Sequence, residues 1–247
     1  SENRLFRVQG FPQAVLVQNN LYSLLGSDSM PVYYTSKYSE RIRQLLEPNT
    51  AEMLGLANVE YVLAMENLSA EDYETIKTGL VYSDCRFGAN KTFTLYKNKK
   101  VMQRAFVVPN AEQVELEEQF NVISNWSFNP KETVLVTEKN PLPEGQEYKE
   151  AAVKLYSPNK IIINVDTEKS GYLVLSDTYY PGWKAYDNGQ ETKIYHANYI
   201  MRAIHLPAGT HEIEFIYNPL SYKVGKYITF ATLGLIILIS LLVFSRK

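Results

Sequence analysis

Cysteine is almost absent from this 247-residue chain: Cys85 stands alone, so no disulfide can form within it. That leaves the compartment open, because many exported bacterial domains carry no disulfide. An excess of charge is also lacking. The chain holds 25 Lys and Arg against 27 Asp and Glu, with no basic run and no Lys/Arg-rich helix. The electrostatic footprint of a nucleic-acid binder is missing, so no nucleic acid is expected as a partner. Its three histidines, His196, His205 and His211, lie nine and six residues apart on separate expected strands. Without His-x-His, HExxH or paired-Cys spacing they make no metal motif. There is no Asp-x-Asp for a metal-bound nucleotide sugar, no Gly-rich phosphate loop and no Gly-x-Ser-x-Gly elbow. No catalytic residue, metal or cofactor is therefore expected in this chain. The acidic cluster Glu112, Glu115, Glu117 and Glu118 reads as a solvated face, and sequons at Asn67, Asn90 and Asn125 are no more than chance supplies.

The opening residues, SENRLFRVQG, have no initiator Met, basic start or apolar core of a signal peptide. If the folded part lies outside the cell, an upstream segment must have exported it. The simplest expectation is the C-terminal piece of a longer, multi-span membrane protein. The alternative is a tail-anchored protein whose folded part stays in the cytosol.

What the chain does have is a long apolar run. Tyr227 to Phe244 reads YITFATLGLIILISLLVF without a charge, preceded by Lys223 and Lys226 and followed by Arg246 and Lys247. About 18 residues at roughly 1.5 Å rise span about 27 Å, close to a bilayer's hydrocarbon core. The run is expected to be a membrane helix, the other reading being a buried core helix. Arg246-Lys247 favour a cytoplasmic C-terminus, although Lys223 and Lys226 nearly balance them. Aromatics are plentiful, with 19 Tyr. This enrichment suits β-strands and also suits sugar-binding surfaces.

The chain shows no internal repeat. Residues 36–46 carry Tyr38, Ile42, Leu45 and Leu46 at helical spacing, and Pro48 ends the run. A short helix is expected over 50–56 and a strand over 59–64. Ser69, followed by two acids, predicts a helix over 69–78. Strands are expected over 93–96 and 104–108. From Thr133 onward, β-rich runs recur at short intervals: 134–137, 152–157, 160–166, 171–178, 183–187, 192–196, 201–206 and 212–218. Turn residues separate them, and Asn188-Gly189 predicts a two-residue type I′ hairpin. The fold class is α+β. A mixed α/β part occupies residues 1–130, an antiparallel jelly-roll-like β-sandwich 131–219, and one transmembrane helix 227–244.

One constellation suggests ligand binding: Asp177, Tyr179, Tyr180, Trp183, Asn198 and Arg202. Alternation puts Asp177 on the face of Leu173 and Leu175, and Arg202 on the face of Ile204 and Leu206. Each is the one charge on an apolar face, so the two are expected to pair at the rim of the core. Tyr179, Tyr180 and Trp183 surround the Pro181-Gly182 turn. Such rings either lock the turn against the core or stack on sugar or lipid headgroups.

Gly171 to Gly225, with its YYPGW…LPAG…H pattern, resembles the C-terminal region of the YfhO-type bacterial membrane protein family. LGLANVEYVLA (54–64) and LYKNKKVMQRAFVV (95–108) resemble two further segments of that family. Asp187 stands where the family's hairpin tip has an apolar residue, and Gln103 where Pro precedes Arg-Ala-Phe. The resemblance implies a GT-C-type glycosyltransferase moving a sugar from a polyprenyl-phosphate donor to a cell-envelope glycan. The catalytic carboxylate of such enzymes lies between early membrane spans, so this fragment is expected to be non-catalytic. Its implied partners are the lipid bilayer, the donor and acceptor, and the upstream spans of the same protein. Its implied place is the bacterial cell membrane, folded part extracytoplasmic and C-terminus cytoplasmic. A membrane-anchored glycan-binding scaffold is the other reading.

Overall fold

A computed structural model describes residues 50–64, 66–84, 89–125, 127–138 and 147–244, with 7–9, 22–23 and Arg41 besides. In chain order, β1 (Arg7–Gln9), β2 (Tyr22–Ser23), α1 (Ala51–Leu56), β3 (Val59–Ala64), β4 (Tyr73–Asp84) and β5 (Ala89–Asn98) come first. Next are β6 (Ala105–Val108), β7 (Asn110–Gln113), α2 (Leu116–Ser124), β8 (Thr133–Val136) and β9 (Lys149–Glu150). The later strands are β10 (Ala152–Tyr156), β11 (Lys160–Thr167), β12 (Gly171–Leu175), β13 (Trp183–Asp187) and β14 (Gln190–Thr192). β15 (Tyr195–Ala197), β16 (Met201–Leu206), β17 (Gly209–Tyr217) and the helix α3 (Leu220–Phe244) complete the chain.

Among the described residues three sheets form: β2-β1-β3-β5-β4, β10-β11-β17-β13-β14, and β7-β8-β15-β16-β12-β6-β9. The last two make the sandwich. Their pairings are antiparallel apart from parallel β7–β8. Alternate residues of β11 and β17 (Ile161, Ile163, Ile213, Phe215) meet Leu173, Leu175, Ile204 and Leu206 of the facing sheet. The seven-stranded sheet is covered on its other face too. There Phe106, Tyr172, Val174 and Ala203 pack with Ile123 of α2 and with Met53 and Leu56 of α1. Burial on both faces explains why β6 and β12 read as near-continuous apolar runs while burial along β11 alternates. β6, β7 and α2 come from the first 130 residues, so the sandwich draws on both sides of residue 130.

Local chemistry sets several ends. Thr50 caps α1, accepting a hydrogen bond from the Met53 amide. Asn188 and Gly189 turn between β13 and β14 with φ of 47° and 82°, the hairpin the dipeptide predicts. The helix expected over 69–78 is not formed. The Ser69 hydroxyl accepts from Glu71 N, and Tyr73 N donates to Ser69 O, closing one turn. β4 then begins, because Tyr73, Thr75 and Ile76 suit a strand that β5 is ready to pair. Of the helix expected over 36–46, only Arg41 is among the described residues, and it is helical.

The transmembrane helix expected over 227–244 is not found as such: among the described residues no helix is long and apolar enough to cross a membrane. α3 is nonetheless 25 residues long. Its apolar side chains stand free of the sandwich, from Tyr227 (73% exposed) to Leu238 (54%). Lys223 and Lys226 interrupt its first turns, and the side chains of Leu241 to Phe244, which carry much of the run's hydropathy, are outside the described residues.

Candidate functional site

β12 ends at Leu175, and two residues later Asp177 turns its carboxylate into the end of the sandwich. β16 lies beside β12 with Arg202 opposite Leu175. Arg202 Nη2 sits 3.1 Å from Asp177 Oδ2, so the expected pair forms. A second guanidinium joins from the segment before β6: Arg104 Nη1 is 3.7 Å from Asp177 Oδ1. The Tyr156 hydroxyl donates to the same carboxylate at 3.2 Å. Each guanidinium also lies on a ring, Arg202 over Trp183 at 4.2 Å and Arg104 over Tyr156 at 4.4 Å. Arg104 Nε donates to Asn58 Oδ1. Exposure is 2% for Arg202, 3% for Arg104 and 7% for Asp177. Two buried cations therefore share one buried anion, and hydrogen bonds and ring faces compensate part of the lost water.

The six candidate residues do not form one site. Asp177, Arg202 and Trp183 belong to this cluster. Tyr179 lies beside it, its ring stacked on His196 at 4.4 Å. Tyr180 is 44% exposed and its ring faces Tyr217 at 6.4 Å, which in turn meets Trp183 at 5.3 Å. Asn198 is elsewhere. It is fully buried, has φ 42°, and exchanges hydrogen bonds with the Leu135 backbone through its amide N and Oδ1. It shapes a turn in the second core layer. Arg104 and Tyr156 are the members that sequence reasoning missed. The usable signal was that Arg104, like Arg202, is one charge abutting an apolar strand.

A second polar cluster resembles an acid–imidazole–hydroxyl relay. His211 Nδ1 lies 2.9 Å from the Asp187 carboxylate, and Nε2 lies 3.2 Å from Thr167 Oγ1. The Thr167 hydroxyl donates to Pro207 O at 2.7 Å, and Thr167 and His211 are 5% and 4% exposed. With the hydroxyl committed and buried, this is a clasp between strand ends. It also accounts for Asp187 at the hairpin tip.

An open cleft of about 650 Å³ lies apart, lined by Glu52, Lys99, Lys100, Phe128, Asn129 and Lys131 among others. Its charges are largely spent: Lys99 donates to Ala70 O, and Lys100 faces Glu52 and Asp72. Among the described residues no three His, Cys, Asp or Glu side chains gather as a metal site.

The described part is thus an antiparallel β-sandwich feeding a solvent-facing apolar helix. Residues 144–229 match the family model for the bacterial membrane protein YfhO. The resemblance read from Gly171 to Gly225 falls inside that stretch, which covers about a third of the chain. No curated protein and no solved structure gives a match.

Proposed function

We propose that this chain is the extracytoplasmic C-terminal part of a polytopic GT-C-type glycosyltransferase, anchored by α3 as its last membrane span. The parent transfers a sugar from a polyprenyl-phosphate donor to a cell-envelope polymer. This part is non-catalytic, covers the active-site mouth and helps to hold donor or acceptor. The observation that carries the reading is the extent of the family match: it runs without a break from the sandwich strands into the first turns of α3. A helix whose apolar side chains, from Tyr227 to Leu238, stand exposed among the described residues suits another apolar surface, and a bilayer supplies it. The non-catalytic role is supported by Asp177, the charge nearest the aromatic turn, being taken by two guanidiniums and a hydroxyl.

A second reading, a membrane-anchored glycan-binding scaffold, is favoured by the exposed Tyr180 beside Tyr217 and Trp183. The reading frame upstream of Ser1 separates the two. Many apolar spans with an acidic residue in the first outside loop support the enzyme; a start codon and signal peptide just before Ser1 support the scaffold. Trp183→Ala in the whole protein then tests the contact. A folded variant that has lost transfer supports substrate binding, whereas an unfolded one makes Trp183 structural.

A further inference from the structure

The geometry points to one edge of the sandwich as a lipid-headgroup face: the turns at 157–160 and 180–183, with Tyr217, rest on the bilayer beside the entry of α3. This deepens the membrane-anchored reading above and rests on it. The edge is bound to the start of the helix by backbone contacts. Asn218 N donates to Gly182 O at 2.9 Å, and Tyr217 N donates to Asn159 O at 2.8 Å. A Cβ built on Gly182 would meet Pro219 Cβ at 2.8 Å, so no gap separates the aromatic turn from the chain entering α3. From Leu220 to Tyr227, where the uncharged run begins, seven residues at roughly 1.5 Å rise cover about 10 Å, comparable with a headgroup layer.

The residues suit that depth. Tyr180 (44% exposed), Trp183 and Tyr217 form a chain of rings, and Tyr222 (68%) and Tyr227 (73%) are exposed on the first turns of α3. Amphipathic rings of this kind prefer the membrane–water boundary. Lys223 and Lys226 are placed to reach phosphates while their stems lie along apolar surface. The opposite edge is built otherwise. β13 runs from Trp183 to the Asn188-Gly189 tip, and β17 starts at Gly209 beside it, with Asn188 Nδ2 donating to Thr210 O. At roughly 3.3 Å per residue the eight steps of β17 from Tyr217 back to Gly209 put Gly209 about 25 Å away along the strand. Strand order and helix entry thus set the sandwich on end.

The test uses the full chain with Cys85→Ser and a single new thiol, Tyr180→Cys or Ala208→Cys, each carrying a fluorophore. Ala208 is exposed in the far-edge loop. The labelled chains are reconstituted into phosphatidylcholine vesicles in which a minority of lipids bear a nitroxide on the headgroup. Quenching several-fold stronger at 180 than at 208 is expected. Equal or reversed quenching in chains that float with the vesicles overturns the headgroup face and leaves the anchor standing. Chains that do not float overturn both. A label at 180 that escapes the nitroxide but responds to added envelope glycan makes the edge a glycan platform and overturns the proposal. If Tyr180→Cys fails to fold, Pro158→Cys, in the exposed turn of the same edge, reads the same depth.

Discussion

Asp177→Asn is the sharpest probe of the sandwich's polar end. The substitution keeps the size of the side chain and an oxygen for the Tyr156 hydroxyl, but removes the negative charge. Arg202 and Arg104, 2% and 3% exposed, then have no carboxylate between them. Breaking a buried pair by removing one partner costs roughly 3–5 kcal/mol, because the remaining charge stays desolvated. That is a large fraction of a stability of about 5–15 kcal/mol. With a urea m-value of about 3 kcal/mol/M, the unfolding midpoint should fall by about 1 to 1.7 M. Intrinsic fluorescence of the full chain in detergent micelles follows the transition, since Trp183 lies under Arg202. Adding Arg202→Met to Asp177→Asn should return part of the loss, as the paired deletion removes an orphaned cation. An unchanged midpoint in Asp177→Asn would refute the claim that the carboxylate balances buried charge.

Other substitutions test separate parts of the structure. Phe215→Ala empties a fully buried position between the two sheets and should cost roughly 3–5 kcal/mol by urea denaturation. Gly189→Ala, at φ +82° with open space, should cost only backbone strain of about 1–2 kcal/mol; Gly182→Ala, at φ +103° with its Cβ driven into Pro219, should cost more than that. Burial lowers the His205 pKa below its ordinary 6.5, so the folded state holds the ring neutral. The unfolded chain therefore takes up a proton first, and stability present above pH 6.5 is lost as pH falls through the folded value. Thermal melts of His205→Phe should lose that acid-side decline while keeping the ring contact with Tyr172.

Several of these features were legible in the sequence because they are local. The Asn188-Gly189 hairpin follows from two adjacent residues that tolerate positive φ, and the Asp177–Arg202 pair from alternation along two strands. The short helix expected over 50–56 also forms, with Thr50 as its cap rather than its first turn. What failed depended on distant partners. Ser69 and its acids signal a helix start, but β5 offers Tyr73 to Asp84 a strand to pair with, and pairing wins. Arg104 and Tyr156 reach Asp177 from segments 73 and 21 residues away, and no spacing rule brings four such segments together. Asn198 was expected among the ligand-binding residues, yet its side chain is spent inside the core on Leu135. The double burial of the seven-stranded sheet was written in its apolar strands, although nothing in them named α1 and α2 as the cover.

Membrane attachment through α3 is the claim on which the rest depends. Vesicle flotation after alkaline carbonate washing, comparing the full chain with one ending at Asn218, tests it directly. The account predicts that the full chain stays with the lipid through the wash and that the shortened chain is released. Release of the full chain would contradict it.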